Sequence, residues 1–255
     1  MWLFDLVNLG AGFKKYFEVV PALSEELRDE CYRIRHDVYC AELSYEPVRA
    51  DRRERDDYDA HSLHCLIRSV RNGEYVGCTR LVLTRPGDPH YLLPVERACA
   101  KTIDRSIADP QQMPRHTIAE IGRLAVIASY RNRHGEQKSP APISEQSFGT
   151  PERPRFPYLT IGLYLGTIAL AREHNIATLF VLTEPRLQHH FARLGVNIRQ
   201  IGSPVEHRGT RVPSMMTVAG IVDGLNFVMR PLYEVVAAEV KQGVQAHREA
   251  SLVTR

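Results

Sequence analysis

The segment HTIAEIGRLAVI, residues 116–127, constrains the fold more than any other feature of the chain. Its length and its aliphatic residues are typical of a strand within a sheet, yet it contains Glu120 and Arg123. In a regular strand, residues three apart point to opposite faces. A bulge at Ile121 or Gly122 would turn both charged side chains to one side, and glycine favours such a bulge. We therefore predict an irregular ladder here, with Glu120 and Arg123 bordering one cavity.

The composition is that of an ordinary globular protein. The chain has 255 residues, of which 44% are hydrophobic and 25% are charged. This is enough apolar material to bury one core, so we expect a single domain over residues 1–255, with two small domains as the weaker alternative. The net charge of +3 is too small to indicate nucleic acid as the main ligand. The longest nearly uncharged run, residues 156–171, is shorter than the roughly 20 residues that span a bilayer, and it is better interpreted as a buried helix.

The cysteines and histidines argue against disulfides and metal sites. Five cysteines occur, an odd number without a CxxC pair, which indicates reduced, packed thiols in a cytoplasmic protein. The N-terminal segment lacks a basic region and contains an aspartate, so we expect no signal peptide. The pairs His61 with His64 and His189 with His190 lack a convincing third ligand, and we predict no metal site.

The hydrophobic pattern predicts mixed α and β elements without internal repeats. Strands are predicted over residues 16–20, 64–70, 75–84, 116–127, 177–184, 196–202 and 215–222. Helices are predicted after Ser24, over about 16 residues after residue 157, after Pro185, and from about 226 to 241 with an extension to about 250. Residues 132–157 form a Pro-rich insertion that indicates a functional flap or disorder. This order predicts a central mixed sheet with helices on its faces.

The helix after Ser24 has two distinct faces. Its apolar stripe, spaced by four and three residues, is Leu27, Cys31, Ile34, Val38 and Ala41. A neighbouring face carries Tyr32, Arg35, Tyr39 and Glu42. That second face is polar and aromatic and can line a site.

Four separated stretches resemble one known family. The stretches RIRHDVYCAELSYEP, DDYDAHSLHCLI, VGCTRLVL and IAEIGRLAV, in this order, are similar to the acyl-homoserine-lactone synthases, a branch of the GNAT acyltransferase superfamily. The resemblance is closer to the N-acyl amino acid synthases and to the acyltransferases associated with PEP-CTERM/exosortase gene clusters, and it covers residues 16–222. It implies a GNAT-like α/β (α+β) fold, with a central mixed, mostly antiparallel twisted sheet flanked by helices.

The resemblance also implies roles for individual residues. Glu120 matches the family's central-strand glutamate, the expected catalytic base. The positions implied to bind substrate are Arg35, Tyr39, Tyr45, Asp56, Asp59, Arg80 and Arg123. Tyr45 stands where the lactone synthases usually have tryptophan, and the Pro-rich insertion and longer C-terminus are not typical of them. These departures favour an amino acid or related amine, rather than S-adenosylmethionine, as the acceptor.

The chemistry of acyl transfer to an amine requires a base, an oxyanion site and a hold on the donor. A glutamate whose pKa is raised by apolar surroundings can take the ammonium proton, and Glu120 fits that role. Backbone N–H groups of Val126, Ile127 and Ala128 are expected to polarise the thioester carbonyl, as the resemblance implies. The segment YRNRHGEQ, residues 130–137, partly resembles the family's phosphate-binding turn. We expect its residues Arg131, Arg133 and Gly135 to contact the acyl donor.

The charge around the insertion bears on the donor. Residues 130–155 hold five basic side chains (Arg131, Arg133, Lys138, Arg153 and Arg155) against three glutamates, so the region is net positive. Acyl carrier proteins are acidic, and a positive rim favours their encounter. We therefore expect a medium or long acyl chain on acyl carrier protein, through its phosphopantetheine, or on coenzyme A as co-substrate, with no permanently bound cofactor. An ordinary GNAT acetyltransferase and a catalytically silent lipid-binding or regulatory module remain as alternatives.

Overall fold

A computed structural model describes residues 8–85, 87–88, 90–131, 149–150, 153–154, 157–185, 191–192 and 195–253. The strands are β1 (Phe17–Pro21), β2 (Ser62–Ser69), β3 (Tyr75–Leu83), β4 (Ile118–Val126), β5 (Gly149–Thr150), β6 (Arg153–Pro154), β7 (Thr178–Thr183), β8 (Arg199–Gln200), β9 (Val205–Glu206) and β10 (Thr210–Thr217). The helices are α1 (Leu9–Tyr16), α2 (Glu25–Arg35), α3 (Pro94–Ala98), α4 (Tyr158–Glu173), α5 (Val218–Gly224) and α6 (Arg230–Val253).

One large sheet organises the molecule. Its strands run in the order β1-β2-β3-β4-β7-β10-β8, with β9 paired to β10, while β5 and β6 pair with each other. The β4–β7 pair is parallel, and the other pairs are antiparallel. The predicted fold class, a mixed and mostly antiparallel sheet flanked by helices, is confirmed.

The larger core lies between one face of this sheet and helices α1, α4 and α6. Helix α4 is buried on most of its surface, as expected for a helix that packs between a sheet and another helix. Two of its glycines permit this close approach. A Cβ on Gly162 would lie 2.8 Å from the Phe13 ring, and one on Gly166 would lie 2.7 Å from Val19.

Helix α2 covers the opposite face. As predicted, Ser24 caps it, since its Oγ accepts the Leu27 N–H at 3.3 Å. Cys31, Ile34 and Val38 are buried as the stripe requires, but Ala41 is exposed, so its place in the stripe was wrong. The reason is that residues His36–Glu42 continue α2 as a π-helix, whose wider turn rotates later side chains off the α-helical stripe.

Strand β4 is irregular at its centre. Arg80 pairs with Gly122 and Cys78 with Ala125, so Arg123 and Leu124 together face one residue of β3. The predicted irregularity is confirmed, but it lies just after Gly122, and Arg123 itself takes the left-handed conformation, with φ of 51°. The pairing of β4 with β7 ends at Ile121, although β4 continues to Val126. The two strands therefore part at this point and open the sheet.

The C-terminal third differs most from the sequence prediction. Only residues 199–200 of the predicted strand 196–202 are in a strand. The predicted strand over 215–222 divides, because the Thr217 hydroxyl accepts the Gly220 N–H and begins α5. Helix α1 was not predicted, and α6 extends to Val253. The predicted helix after Pro185 and the insertion 132–157 lie largely outside the described residues.

The described part of the chain lacks two features, a membrane-spanning helix and a metal-binding cluster. It contains no helix long and apolar enough to cross a membrane. Nor does it contain a group of three or more His, Cys, Asp or Glu side chains that can hold a metal ion.

Candidate active site

A buried network of arginines and carboxylates fills one end of the face that α2 covers. Arg35 is fully buried; its Nε donates to Glu54 at 2.5 Å, and its two terminal nitrogens donate to Asp59 at 2.6 and 3.0 Å. Arg80 donates to Asp56 at 2.6 Å and to the same Asp59 at 2.9 Å. Burial alone opposes ionisation of Asp59, but the hydrogen bonds from Arg35 and the nearby Arg80 charge outweigh it and lower the pKa of Asp59. Asp59 therefore stays ionised beside the two arginines.

A short turn fixes the two aspartates. Residues Asp57–His61 form a 3₁₀-helix in which Asp56 accepts the Tyr58 N–H at 3.0 Å. Asp59 reaches back to accept the Asp56 N–H at 2.8 Å. This reciprocal cap is why the DDYD sequence places two carboxylates side by side under Arg80.

Glu54 belongs to the network although the sequence analysis missed it. Its signal was the alternation of basic and acidic residues within the run DRRERDDYD, from Arg53 to Asp56. Glu54 is buried and Asp56 is partly buried, whereas the intervening Arg55 is exposed. A period of two in a charged run therefore marked a half-buried segment.

Arg123 connects this network to the opening of the sheet. Its Nη2 lies 3.3 Å from Glu46, 3.3 Å from Glu54 and 3.2 Å from Asp56. The guanidinium also stands 5.7 Å from the centre of the Tyr39 ring, whose hydroxyl donates to the Leu124 carbonyl at 2.9 Å. Burial raises the pKa of Tyr39 to about 12, so this hydroxyl remains a donor.

The second predicted aromatic residue lies beside the first. The ring of Tyr45 is 6.4 Å from that of Tyr39. The structure thus brings together all seven predicted substrate-binding residues around one end of the sheet. Among them, Arg35 and Asp59 are buried.

Glu120 lies apart from these ion pairs. It is 5% exposed, is flanked across the sheet by Val82 and Phe180, and accepts the Val95 N–H at 2.6 Å. No arginine, lysine or histidine of the described residues lies within ion-pair distance of it. Burial raises the pKa of Glu120 to about 8, against the opposing charges of Arg80 and Arg123. A carboxyl that titrates near neutral pH is suited to accept a proton from a substrate.

Free space lies between Glu120 and Arg123. Gly122 pairs with Arg80 and is partly exposed in a central strand. A Cβ built on Gly122 would have no heavy atom within 4 Å, whereas one on Gly77 would lie 2.9 Å from the Ala125 carbonyl. The position beside Gly122 is therefore open, next to the point where β4 and β7 part.

The backbone amides predicted to polarise the thioester carbonyl differ in their hydrogen bonding. The Ile127 N–H donates to the Val76 carbonyl at 3.0 Å, so the expectation of a free amide there was wrong. Because successive residues of a strand point their N–H groups to opposite sides, the Val126 N–H points away from β3, toward the open edge. The Val126 carbonyl on that edge accepts Arg131 Nε at 2.6 Å, and Arg131 also pairs with Glu42.

The rest of the predicted donor site is only partly described. Ala128 is exposed and begins a 3₁₀ turn that ends at Tyr130. Arg133 and Gly135 lie outside the described residues. Arg131 therefore holds the end of β4 in place, a structural task that its position in the sequence did not reveal.

The β9–β10 hairpin contributes two further arginines that the sequence analysis missed. Arg208 pairs with Glu46, and Arg211 pairs with Glu184 at 2.6 Å. Both arginines come from the part of the sheet beyond β7. The Arg208 pair therefore crosses the opening between β4 and β7.

Comparison with known proteins agrees with this architecture. Residues 34–138 match the family model described as an acetyltransferase (GNAT) domain. Among curated proteins, none matches the chain in sequence.

Three solved structures with low sequence identity share the fold. The AHL synthase LasI is 15% identical, with 82% of this chain and 95% of LasI covered and a TM-score of 0.53. The CoA-dependent acyl-homoserine lactone synthase BjaI, with SAM and isopentyl-CoA, is 18% identical, with 89% of each chain covered and a TM-score of 0.52. FeeM, an N-acyl amino acid synthase from uncultured soil microbes, is 13% identical, with 84% and 97% covered and a TM-score of 0.52. The resemblance that the four sequence motifs indicated is thus confirmed, and the chain has the GNAT fold that these synthases share.

Proposed function

We propose that this protein is an N-acyltransferase that moves a medium or long fatty acyl group from a thioester to the amine of an amino acid or related small molecule. The observation that carries the proposal is Glu120, a buried carboxyl without an ion pair among the described residues, whose burial raises its pKa to about 8, beside the open position at Gly122. The GNAT match and the shared fold support the acyltransferase class.

The reaction begins with removal of a proton. The ionised Glu120 accepts a proton from the acceptor ammonium, directly or through water, and the free amine attacks the thioester carbonyl. The tetrahedral intermediate carries an oxyanion, which the Val126 N–H on the open edge of β4 is placed to stabilise. The amine loses its second proton as the C–S bond breaks. The products are the amide, the free thiol and one proton.

The charged network orients the acceptor in this scheme. Arg80 and Arg123 stand on either side of the free space at Gly122, and each is held by at least two carboxylate contacts. Such a network adjusts little during a reaction, so its charges stabilise a bound polar group without a reorganisation cost.

The acyl chain is assigned to a set of partly buried apolar side chains. Leu124, Ile127, Tyr130 and Tyr164 are only partly buried although they pack against the main core. Tyr164 lies on α4 and meets the Phe191 ring edge-on at 4.7 Å. Partly exposed apolar side chains of this kind, next to an opened sheet, favour a medium or long chain over an acetyl group.

Two candidate donors remain in the proposal. The related fold of BjaI was determined with isopentyl-CoA, which supports coenzyme A thioesters as chemically suitable donors for this architecture. The net positive charge of residues 130–155 supports acyl carrier protein instead. We propose acyl carrier protein as the preferred partner, with acyl-CoA as the alternative, in a cytosolic enzyme that makes an autoinducer-like product.

An ordinary acetyl-CoA-dependent acetyltransferase is the second candidate, and the description of the matching family model favours it. A catalytically silent module would be favoured if Glu120 and Arg80 buried each other away from any cleft. Arg80 instead pairs with Asp56 and Asp59, which speaks against that alternative.

Mass spectrometry of lipid extracts tests the proposal. Cells that express the wild type are compared with cells that express Glu120→Gln at equal protein level. A new N-acyl amine in the wild-type extract alone identifies chain and acceptor together. Identical extracts, combined with acetylation of small amines by the pure protein, would favour the second candidate.

A further inference from the structure

One carboxylate, that of Glu46, contacts arginines from both sides of the opening of the sheet. Glu46 Oε1 receives Arg208 from the β9–β10 hairpin and, at 3.3 Å, Arg123 from β4. The two guanidiniums come from opposite sides of the gap between β4 and β7. Arg208 sits at the tip of a tight turn, with φ of 54°, and Gly209 follows with φ of 94°.

This contact differs from the buried network in its access to solvent. The side chains of Glu46, Arg208 and Arg123 are 23%, 26% and 17% exposed, whereas those of Arg35 and Glu54 are 0% and 2% exposed. Glu46 lies in an irregular bend after the π-helix, not in a strand or helix. Its carboxylate can therefore turn away into water, and a soluble anion can take its place.

The position of the contact fits one class of acceptor. Arg123 follows directly after Gly122, whose free space separates it from Glu120 on the same strand. An α-amino acid bound there would direct its ammonium to Glu120 and its carboxylate to the guanidiniums. Arginine is suited to this task, since its planar fork matches the two oxygens of a carboxylate.

We propose that Arg208 and Arg123 form a clamp for the acceptor carboxylate and that Glu46 occupies this clamp when no acceptor is bound. The inference rests on the proposed function and extends it, because it makes the α-carboxylate a requirement for the acceptor. Amines without that group leave Glu46 in place. Arg208 is then a residue that determines specificity, and Glu46 is an internal competitor.

A competition assay tests the clamp. The full-length enzyme receives decanoyl-CoA and, separately, decanoyl acyl carrier protein, with an equimolar mixture of the standard L-amino acids and their α-carboxamides. Mass spectrometry reports the ratio of acylated acids to acylated carboxamides, which is independent of total activity. Acids should dominate with the wild type, and Arg208→Gln should lower the ratio about 10- to 100-fold, the usual effect of losing a charged hydrogen bond. Glu46→Gln should lower KM for the acid without lowering kcat.

Two further variants separate recognition from structural support. Arg199→Gln removes an exposed arginine from β8 and should leave the ratio unchanged. The charge swap Glu46→Arg with Arg208→Glu restores the ion pair across the gap, and should restore melting temperature without restoring the preference for acids. Recovery of that preference by the swap, or an unchanged ratio in Arg208→Gln, would refute the clamp alone. If the wild type acylates neither the amino acids nor their carboxamides, the proposed function and the clamp are both overturned.

Discussion

Replacement of Glu120 by glutamine should stabilise the folded protein and lower its catalytic activity. The carboxyl has a pKa of about 8 in the fold against an ordinary value of 4.5, because burial disfavours its charged form. Between these two pH values the folded chain holds a proton that the unfolded chain has released. The contribution of Glu120 to stability therefore falls as pH rises from 4.5 towards 8, and is constant outside this window.

The magnitude follows from this window. One pKa unit corresponds to about 1.36 kcal/mol, so at pH 7 the wild type is penalised by about 3 kcal/mol. Glutamine can still accept the Val95 N–H and never ionises, so it avoids this penalty. Glu120→Gln should raise the melting temperature by roughly 6–12 °C at pH 7, and by little at pH 4.5. Turnover should fall by about 10² to 10⁴-fold, as expected when a general base is removed.

A neighbouring carboxylate provides the matched control. Glu96 is also buried, but it pairs with Arg115 at 2.8 and 3.0 Å, so Glu96→Gln should destabilise the fold. Differential scanning calorimetry from pH 4.5 to 9 measures both variants. A Glu120→Gln protein that melts at or below the wild-type temperature at pH 7, or a difference that does not grow with pH, would refute the assignment of a raised pKa.

Three further predictions concern the base, the cavity and the donor. The kcat/KM of the wild type should rise with pH through about 8, and Arg80→Met should move this limb to higher pH, because the Arg80 charge lowers the pKa of Glu120. Gly122→Val should fold normally, since its Cβ meets nothing, but should raise the acceptor KM by about tenfold or more in steady-state assays. The double change Arg153→Glu with Arg155→Glu should weaken use of acyl carrier protein more than use of acyl-CoA, and added salt should narrow the gap.

Each of these three predictions has a control variant for which we expect a different result. Glu96→Gln should move the pH limb downward, because the Glu96 charge raises the pKa of Glu120. Gly77→Ala should lower stability instead of substrate affinity, because its Cβ would lie 2.9 Å from a backbone carbonyl. Lys241→Glu with Arg248→Glu changes the same charge on exposed positions of α6 and should affect both donors alike. Equal losses of activity with acyl carrier protein in the two double variants would show that residues 153 and 155 have no specific role in recognising this donor.

The sequence predicted those features of the site that depend on short stretches of chain. The irregular pairing within β4 and the Ser24 cap are local, and both are found in the structure. The position of the bulge was less well predicted, because glycine was expected to adopt the unusual conformation that Arg123 adopts. Three ion pairs, to Glu46, Glu54 and Asp56, hold the Arg123 side chain in place where its backbone has this conformation.

Long-range partners could not be predicted in this way. Glu46 and Arg208 are separated by 162 positions, and the fold alone brings them together. Ala41 was misplaced for a different reason, since a π-helix changes the period on which the stripe was based. Neither residue propensity nor hydrophobic periodicity takes account of a long-range contact or of a π-helix.

The carboxyls of the candidate site differ in their electrostatics, and this contrast supports the roles proposed for them. For Asp56 and Asp59, hydrogen bonds and charges from neighbouring arginines outweigh burial and lower the pKa, so neither holds a proton at neutral pH. Glu120 lies on the same face without a direct ion pair, and burial raises its pKa instead. Where the pKa values of neighbouring carboxyls are shifted in opposite directions, the carboxyl with the raised pKa is the better candidate for proton transfer, which supports Glu120 as the proposed base. In the proposed mechanism, the paired aspartates supply the fixed negative charges that hold Arg80 and Arg123 in place.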